Sequence, residues 1–183
     1  MSITSSSGRE TDPVARIVEQ WNHERPDVDV SGMAVIGRIS RLDKLIQPRL
    51  DAVFAQHGLE SWEFDVLATL RRQGEPHQLT PGELLAAMMI TSGAMTNRLD
   101  RLERRGLVRR TRSPTDGRQV LVTLTSDGLT KVDSALVDHA ANERSIIEPL
   151  SPEQRSHLIE LLGVLTHSML DRTAADPPSE PTA

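Results

Sequence analysis

The stretch TSGAMTNRLDRLERRGLVRRTRSPTDGRQVLVTLT, residues 91–125, decides the fold of this chain. In its first half, Met95, Leu99 and Leu102 fall on one side of a helix when successive residues are placed 100° apart, so we expect these three to face the core. Its second half is rich in β-branched residues and is interrupted by Ser-Pro-Thr-Asp-Gly, which predicts a β-hairpin. The stretch therefore combines an amphipathic helix with a short two-stranded ribbon.

A second helix is predicted directly before this stretch. Thr80 and Glu83 have the spacing of a capping box, with proline at the first helical position, and the helix that they start is expected to end near Ile90. The threonine or serine at 91–92 caps the next helix, which is expected to run to Gly106. Two helices joined by so short a turn form a helix-turn-helix, and the added hairpin makes it winged. The predicted fold class is mainly α with a small β wing.

Positive charge is concentrated in the same stretch. Residues 91–118 contain eight arginines and three acidic residues, a local net charge of +5, whereas the whole chain carries −5 and the remainder therefore −10. Such segregation is typical of a DNA-binding surface on a body that repels nucleic acid. The alternative is a solvated helix face with intrahelical ion pairs, for instance Asp100 with Arg104.

The outward face of the second helix and the tip of the hairpin supply the predicted DNA contacts. Amide, hydroxyl and guanidinium groups read base edges in the major groove, and we assign this role to Ser92, Thr96, Asn97 and Arg101. Arg118, steadied by Asp116, is expected to enter the minor groove or to bind its phosphates. Phosphate contacts, or merely solvated positions, are predicted for Arg104, Arg105 and Arg112.

Helices are predicted on both sides of the winged helix. Pro13 starts a first helix, and a second, long helix over 31–57 is expected to be kinked or broken near Pro48, because proline removes a helical hydrogen bond. After residue 125 one helix follows the hairpin, and a capping box at Ser151 and Gln154 starts the last helix. We assign to a subunit interface the apolar stripe formed by Leu158, Leu161, Leu162, Leu165 and Met169.

These elements divide the chain into five parts. Residues 1–11 and 174–183, rich in serine or proline, are expected to be disordered. Residues 12–57 form the N-terminal helices, which contribute to dimerisation. Residues 58–125 form the DNA-binding domain, and residues 126–173 form the C-terminal dimerisation helices.

Composition and the absence of motifs exclude several classes of function. The chain has no cysteine, which removes disulfides and thiolate metal sites, and no run of roughly 20 apolar residues, so a cytoplasmic location without membrane contact is expected. Catalytic motifs for hydrolases, nucleotide-binding enzymes and zinc proteases are missing, and no cofactor or metal is expected. An enzyme is therefore not predicted, and the remaining alternative to a DNA-binding protein is a winged helix that contacts only other proteins.

The segments TSGAMTNRLDRLERRGLVRR and SPTDGRQVLVTLTSDG resemble the recognition helix and wing of the MarR family of bacterial transcription regulators. The resemblance covers about residues 31–170. It implies a homodimer whose N- and C-terminal helices interlock, with two winged helices on a pseudo-palindromic operator. It also implies a repressor that a small ligand releases from DNA. The family wing usually carries Asp-Arg-Arg, whereas this chain has Asp116-Gly117-Arg118 and so lacks one arginine of that motif.

Within that family, the extra first helix is similar to the subgroup that responds to urate and aconitate. The similarity implies a pocket lined by Trp21, Asp65, Arg98 and Arg110. Two guanidinium groups bind a planar anion such as urate or an organic carboxylate, the indole gives an apolar wall, and Asp65 holds an arginine when the pocket is empty. An anion that pulls Arg98 inward would tilt the recognition helix and release DNA.

The residues themselves leave other roles open for these positions. Trp21 suits core packing, Asp65 suits the start of its helix, and Arg110 suits a phosphate contact. Arg98 lies about 70° from the buried centre of its helix, so it is free to face either the pocket or the DNA. A MarR-type regulator without this effector is the corresponding alternative.

Overall fold

The computed structural model describes residues 12–88 and 92–175, excepting the side chains of 92, 93 and 172–175. The elements in chain order are α1 (Pro13–Glu24), α2 (Ser31–Gln56), α3 (Ser61–Arg71), β1 (Gln78–Leu79), α4 (Pro81–Met88), α5 (Ser92–Arg104), β2 (Val108–Arg112), β3 (Val120–Leu124), α6 (Ser126–Ile146) and α7 (Pro152–Ala175). The predicted fold class, mainly helical with a small wing, is confirmed. The chain divides into two compact units within α6, the first ending at Leu136 and the second beginning at Val137. The helix ends predicted at Ile90 and Thr91 lie outside the described residues.

Helices α4 and α6 begin directly after capping residues. The Thr80 hydroxyl accepts a hydrogen bond from the Glu83 N–H at 3.2 Å, and the Glu83 carboxylate accepts one from the Thr80 N–H at 2.7 Å. Thr125 accepts a bond from the Gly128 N–H at 3.0 Å, so it caps α6. Each cap satisfies backbone donors that the first helical turn leaves unpaired.

Helix α2 corrects one expectation from the sequence. It is a single helix of 26 residues with Pro48 inside it, so of the predicted kink or break near Pro48 the break is wrong. The proline removes one hydrogen bond of the ladder. On the following turns Leu50 and Phe54 pack against the core, and Phe54 stacks on Phe64 with ring centroids 4.4 Å apart. These contacts hold the helix together beyond the proline until its end at Gln56.

The core of the first unit lies between α3, α4, α5, β3 and α6. Met95, Leu99 and Leu102 are at most 2% exposed, which confirms the inward face predicted for α5. Other residues without solvent access are Val66, Leu67, Leu70, Leu84, Val122 and Ala135. The outward face of α5 is therefore fixed by a close-packed inner face.

The sheet has the strand order β1-β3-β2 and is antiparallel throughout. In the hairpin, Val108 pairs with Leu124 and Arg112 with Val120, which confirms the predicted ribbon. Strand β1 is only two residues long and pairs with β3, and the carbonyl of His77 beside it accepts the Leu124 N–H at 3.1 Å. A strand so short shows no alternation, so the sequence did not predict it.

The second unit contains the last turns of α6 and helix α7. The predicted capping box starts α7, because the Ser151 N–H donates to Gln154 at 2.8 Å and the Gln154 N–H donates to Ser151 at 3.3 Å. In the single chain the five apolar residues predicted for a subunit interface are 41–70% exposed. Among the helices of the described ranges, none is both long and apolar enough to cross a bilayer.

Candidate nucleic-acid interface

Helix α5 presents one exposed polar face. Thr96, Asn97, Arg101 and Arg104 are exposed, whereas Met95 and the two leucines opposite them are buried. Ser92 begins the same helix, and its side chain lies outside the described residues. Four of the predicted DNA contacts thus share one side of a helix whose other side is anchored in the core.

Arg101 is held by two residues at the start of α3. Its guanidinium forms an ion pair with Glu60 and lies over the Trp62 ring, 4.8 Å from the centroid. The Trp62 indole N–H donates to the other Glu60 oxygen at 2.7 Å. The hydrogen bond from Trp62, followed by that from Arg101, lowers the pKa of the Glu60 carboxyl, which keeps it ionised at neutral pH.

Arg98 contacts the same aromatic ring. Its side chain is half-buried, and its guanidinium carbon lies 5.5 Å from the centroid of Trp62. The sequence left open whether Arg98 faces a pocket or DNA. In the structure it lies against α3, on the flank of α5 beside the exposed face.

Arg104 at the end of α5 and Arg105 directly after it make contacts that the sequence did not predict. The proposed ion pair between Asp100 and Arg104 is replaced: Arg104 donates to the backbone oxygen of Asp100 at 3.3 Å, and the Asp100 carboxylate binds Arg110 at 2.6 Å. Arg105 is exposed, and its guanidinium pairs with Glu63 and donates to the Gly58 carbonyl at 2.7 Å. Because Glu63 is fully buried, its charge needs that partner.

Arg110 joins strand β2 to helix α5. Its guanidinium donates to Glu103 at 2.6 and 2.8 Å as well as to Asp100, and its backbone N–H donates to Glu103 at 2.9 Å. The guanidinium and the backbone N–H lower the pKa of the Glu103 carboxyl. This arginine, predicted to bind a ligand, is occupied by two carboxylates of α5.

The loop between β2 and β3 is shaped by short polar side chains. Ser113 is buried and accepts bonds from the backbone N–H groups of Thr115 and Asp116, both at 3.3 Å. Asp116 accepts the backbone N–H of Arg118 at 3.0 Å, so it fixes the loop backbone at Arg118. The side chains of Arg112 and Arg118 are exposed on this hairpin.

The remaining predicted pocket residues lie on other elements. Trp21 is 46% exposed on α1 and lines a surface cavity of about 750 Å³ together with other residues of α1. Asp65 is exposed on α3. The described contacts of Arg98 and Arg110 are with Trp62 and with the α5 carboxylates, respectively.

Sequence reasoning missed Glu60 and Trp62. They precede Arg101 by about 40 positions, and no local pattern connects them with α5. The available signal was an acidic residue two positions from a tryptophan at a helix start, which is too common to indicate a site. Their role depends on the packing of α3 against the rest of the core.

The chain matches a family model described as MarR family over residues 57–119. It is 45% identical over 150 residues to the HTH-type transcriptional regulator PecS of Dickeya dadantii (strain 3937), covering 82% of this chain and 90% of that protein. Sco5413, a MarR family transcriptional regulator from Streptomyces coelicolor, has a TM-score of 0.66 at 27% identity, covering 78% of this chain and 97% of that one. A MarR variant from E. coli, complexed with operator DNA, has a TM-score of 0.64 at 24% identity, covering 79% and 96%. The last likeness shows the fold alone.

Proposed function

Because the chain belongs to the MarR family of transcriptional regulators, we propose that it is a homodimeric repressor that binds a pseudo-palindromic operator in the cytoplasm. A small anion releases it from this DNA. Its relatives are regulators rather than enzymes, so the prediction that the chain is not an enzyme is confirmed. The single observation that carries the DNA-binding role is the exposed polar and basic face of α5, set on a rigid core beside an arginine-bearing hairpin.

In this proposal α5 enters the major groove. The Asn97 amide is suited to adenine and the Arg101 guanidinium to guanine, because each offers two hydrogen-bonding groups in the matching geometry. Ser92 and Thr96 at the start of the helix contact base edges or the nearby backbone. Arg104 and Arg112 bind phosphates, which position the helix without reading sequence.

The wing supplies a second point of contact. Asp116 holds the loop backbone, which leaves the exposed Arg118 side chain to reach the minor groove or its phosphates. Replacing Arg118 by alanine is expected to weaken operator binding and to flatten the plot of log affinity against log salt by about one phosphate contact. The measurement is a salt titration with fluorescently labelled operator.

The control for this experiment is Arg16→Ala, which removes the same charge from an exposed position on α1. It is expected to leave the slope unchanged. An equal slope for the wild type and Arg118→Ala would contradict the wing contact. A gel-shift assay with the promoter beside the gene of this protein tests DNA binding itself. If neither the wild type nor Arg118→Ala binds that promoter, the alternative of a winged helix that contacts only proteins replaces the DNA-binding role.

Exposed apolar side chains support the homodimer. On α2 the exposed set is Met33, Val35, Ile36, Ile39, Leu42 and Leu45, and α7 exposes the stripe described above. Monomeric proteins rarely leave large contiguous apolar patches in water. A two-fold pair of winged helices also matches the symmetry of a pseudo-palindrome.

The effector is proposed to be a small planar anion such as urate or an organic carboxylate, bound by Trp21, Asp65, Arg98 and Arg110. The support is the resemblance of these four positions to the urate-responsive subgroup, together with the placement of Arg98 on the recognition helix itself. An anion that draws Arg98 and Arg110 from their present partners would change how α5 is held. DNA affinity and ligand affinity would then be coupled.

Titration of urate, trans-aconitate, citrate and salicylate against the protein–operator complex tests this effector. At least one anion is expected to release DNA, and Arg98→Ala is expected to weaken that response. Arg72→Ala, which changes an exposed arginine at the end of α3, is the matched control. If no anion releases either the wild type or Arg98→Ala from the operator, the ligand pocket is refuted while the DNA-binding role stands.

A further inference from the structure

Glu60 and Trp62 connect the start of α3 to the reading face of α5 through a closed set of contacts. Each Glu60 oxygen has its own donor, since one accepts the Trp62 indole N–H at 2.7 Å and the other binds Arg101. The Arg101 guanidinium in turn lies over the Trp62 ring. The three side chains therefore fix one another in a triangle.

We propose that Glu60 and Trp62 are positioning residues for base recognition: they hold the Arg101 guanidinium in one orientation so that it discriminates between bases. This inference rests on the proposed function, in which Arg101 reads the major groove. It adds two residues of a different helix to the determinants of operator specificity.

The contacts restrain Arg101 without hiding it. Its side chain remains 47% exposed, and the described ion pair engages one of its terminal nitrogens. A guanidinium has five N–H donors, so donors remain for the two acceptors of a guanine edge. An unrestrained arginine would lose many rotamers on binding DNA, and restraint in the free protein removes part of that cost.

Trp62 is suited to serve as the fixed part of this arrangement. It is half-buried and packs against the hydrophobic core, and its neighbours Phe64 and Leu67 on α3 are buried. Its ring also contacts Arg98, one turn before Arg101 on α5. Arg98 and Arg101 of α5 therefore both contact a single ring that the core holds in place.

The charge of Glu60 acts in the same direction. A carboxylate beside Arg101 weakens the attraction for phosphates, which is common to all DNA sequences. The carboxylate weakens less a contact of Arg101 with one base, because that contact depends on the orientation of the guanidinium. Glu60 is therefore expected to lower affinity for arbitrary DNA and to raise the ratio of specific to non-specific binding.

The experiment begins with selection of binding sites from random duplexes by the full-length wild-type protein. Dissociation constants are then measured for the selected duplex and for a shuffled duplex of the same composition. For Glu60→Gln, which keeps the side-chain size and a hydrogen-bond acceptor for Trp62, we expect the ratio of the two constants to fall about tenfold. Affinity for the shuffled duplex is expected to rise.

Asp51→Asn is the matched control. Asp51 lines the same surface cavity as Glu60, and the causes that lower its pKa are hydrogen bonds from Ser61 and Gln47. The substitution removes the same charge from the same neighbourhood. It is expected to raise affinity for both duplexes equally and to leave their ratio unchanged.

A double-mutant cycle separates positioning from a general structural effect. Arg101→Lys keeps the charge and loses the planar fork, so it is expected to abolish the preference at one base of each half-site. In that background Glu60→Gln is expected to have no further effect on the ratio. Trp62→Phe keeps a ring and loses the indole N–H. Its ratio of the two dissociation constants is expected to lie between those of the wild type and Glu60→Gln.

Three results would overturn the inference. The first is a ratio of dissociation constants that Glu60→Gln leaves unchanged. The second is a gain in affinity of Glu60→Gln for the selected duplex that is at least as large as its gain for the shuffled one. The third is a fall of the ratio on Glu60→Gln that is equally large with and without Arg101→Lys. The second would mean that Glu60 withholds Arg101 from DNA. Failure of the proposed function gives a different result, because selection would then enrich no sequence at all.

Discussion

The region of residues 58–125 and helix α7 expose their apolar side chains very differently. The large apolar residues on the inner sides of α3, α4 and α5 are almost without solvent access, whereas those of α7 stand mostly in water in the single chain. The same contrast separates the core from the middle of α2. One region has completed its packing within one chain, and the other helices carry surface that a second copy is proposed to cover.

The charged groups follow the same division. Around α5, arginines bind carboxylates at the start of α3 and of α5 itself, so this helix has ionic partners on two sides. In α7 the described hydrogen bonds are local, such as that from Thr166 to the Leu162 carbonyl at 2.9 Å. The contrast teaches that the DNA-binding region is specified by its own chain, whereas the proposed dimer depends on protein concentration.

The largest effect is expected from a cavity in the completed region. Leu84→Ala on α4 removes a side chain with no solvent access, so the free energy of unfolding should fall by about 2–5 kcal/mol. Urea denaturation followed by circular dichroism measures the loss. Leu45→Ala, at an exposed position of α2, is the comparison. Its loss of unfolding free energy should be smaller than that of Leu84→Ala by more than about 1 kcal/mol.

The contrast would break if Leu45→Ala destabilised the protein as strongly as Leu84→Ala at every protein concentration. Such a result would mean that Leu45 is packed as completely as the core even in the monomer. A loss at Leu45 that appears only at high concentration would instead fit the proposed dimer, because an interface contributes stability by mass action.

A smaller effect on the fold, but a clear one on assembly, is expected from a charge in the apolar stripe of α7. Leu161→Glu places a carboxylate at an apolar position that is half exposed in the single chain. The winged helix should stay folded, while the mass measured by analytical ultracentrifugation should fall from dimer to monomer. Burial of an unpaired charge in the interface is the physical reason.

Ser156→Glu is the control for that experiment, since it adds the same charge to an exposed polar position of the same helix. It is expected to leave the mass unchanged. A Leu161→Glu protein that remains dimeric would show that the stripe lies outside the interface, and the assignment of α7 would then have to be abandoned.

Local patterns predicted the fold well wherever the determinants lie close together in sequence. The capping pair Thr80 and Glu83, the inward face of α5 and the hairpin are each specified by a few neighbouring residues, and the structure has them as expected. Pro48 shows the opposite case. Its local rule predicted a kink or a break, and the helix continues through it to Phe54, which packs against the core.

The candidate site was predicted less completely, for the same reason. The exposed face of α5 follows from helical periodicity alone. The partners of its arginines do not, because Glu60, Glu63 and Trp62 come from a distant part of the chain. Sequence therefore located the surface, and only the structure separated Arg105, which neutralises a buried carboxylate, from Arg101 and Arg104.

The smallest effect concerns the ionic contacts between α5 and the wing. Binding to Arg110 lowers the pKa of Glu103 below its ordinary value of 4.5, so this carboxylate contributes stability above that pH and loses it as the pH falls through the lowered value. Glu103→Gln should reduce stability at pH 7 by less than about 1 kcal/mol, because the pair is partly exposed and screened. Urea denaturation at pH 7 and at pH 3 measures the difference from the wild type.

That difference should narrow at pH 3, because below the ordinary value of 4.5 Glu103 of the unfolded wild type takes up a proton before the folded protein does, which reduces the contribution of its charge to stability. Glu19→Gln removes the same charge from the exposed face of α1 and is the matched control, and its loss of stability at pH 7 should be smaller than that of Glu103→Gln. A difference that stays constant between the two pH values would contradict a contribution from the charge of Glu103, since glutamine keeps an oxygen that accepts the Arg110 backbone N–H. The wing would then be joined to α5 by backbone geometry, and its ionic contacts would matter only for the orientation of the Arg110 side chain.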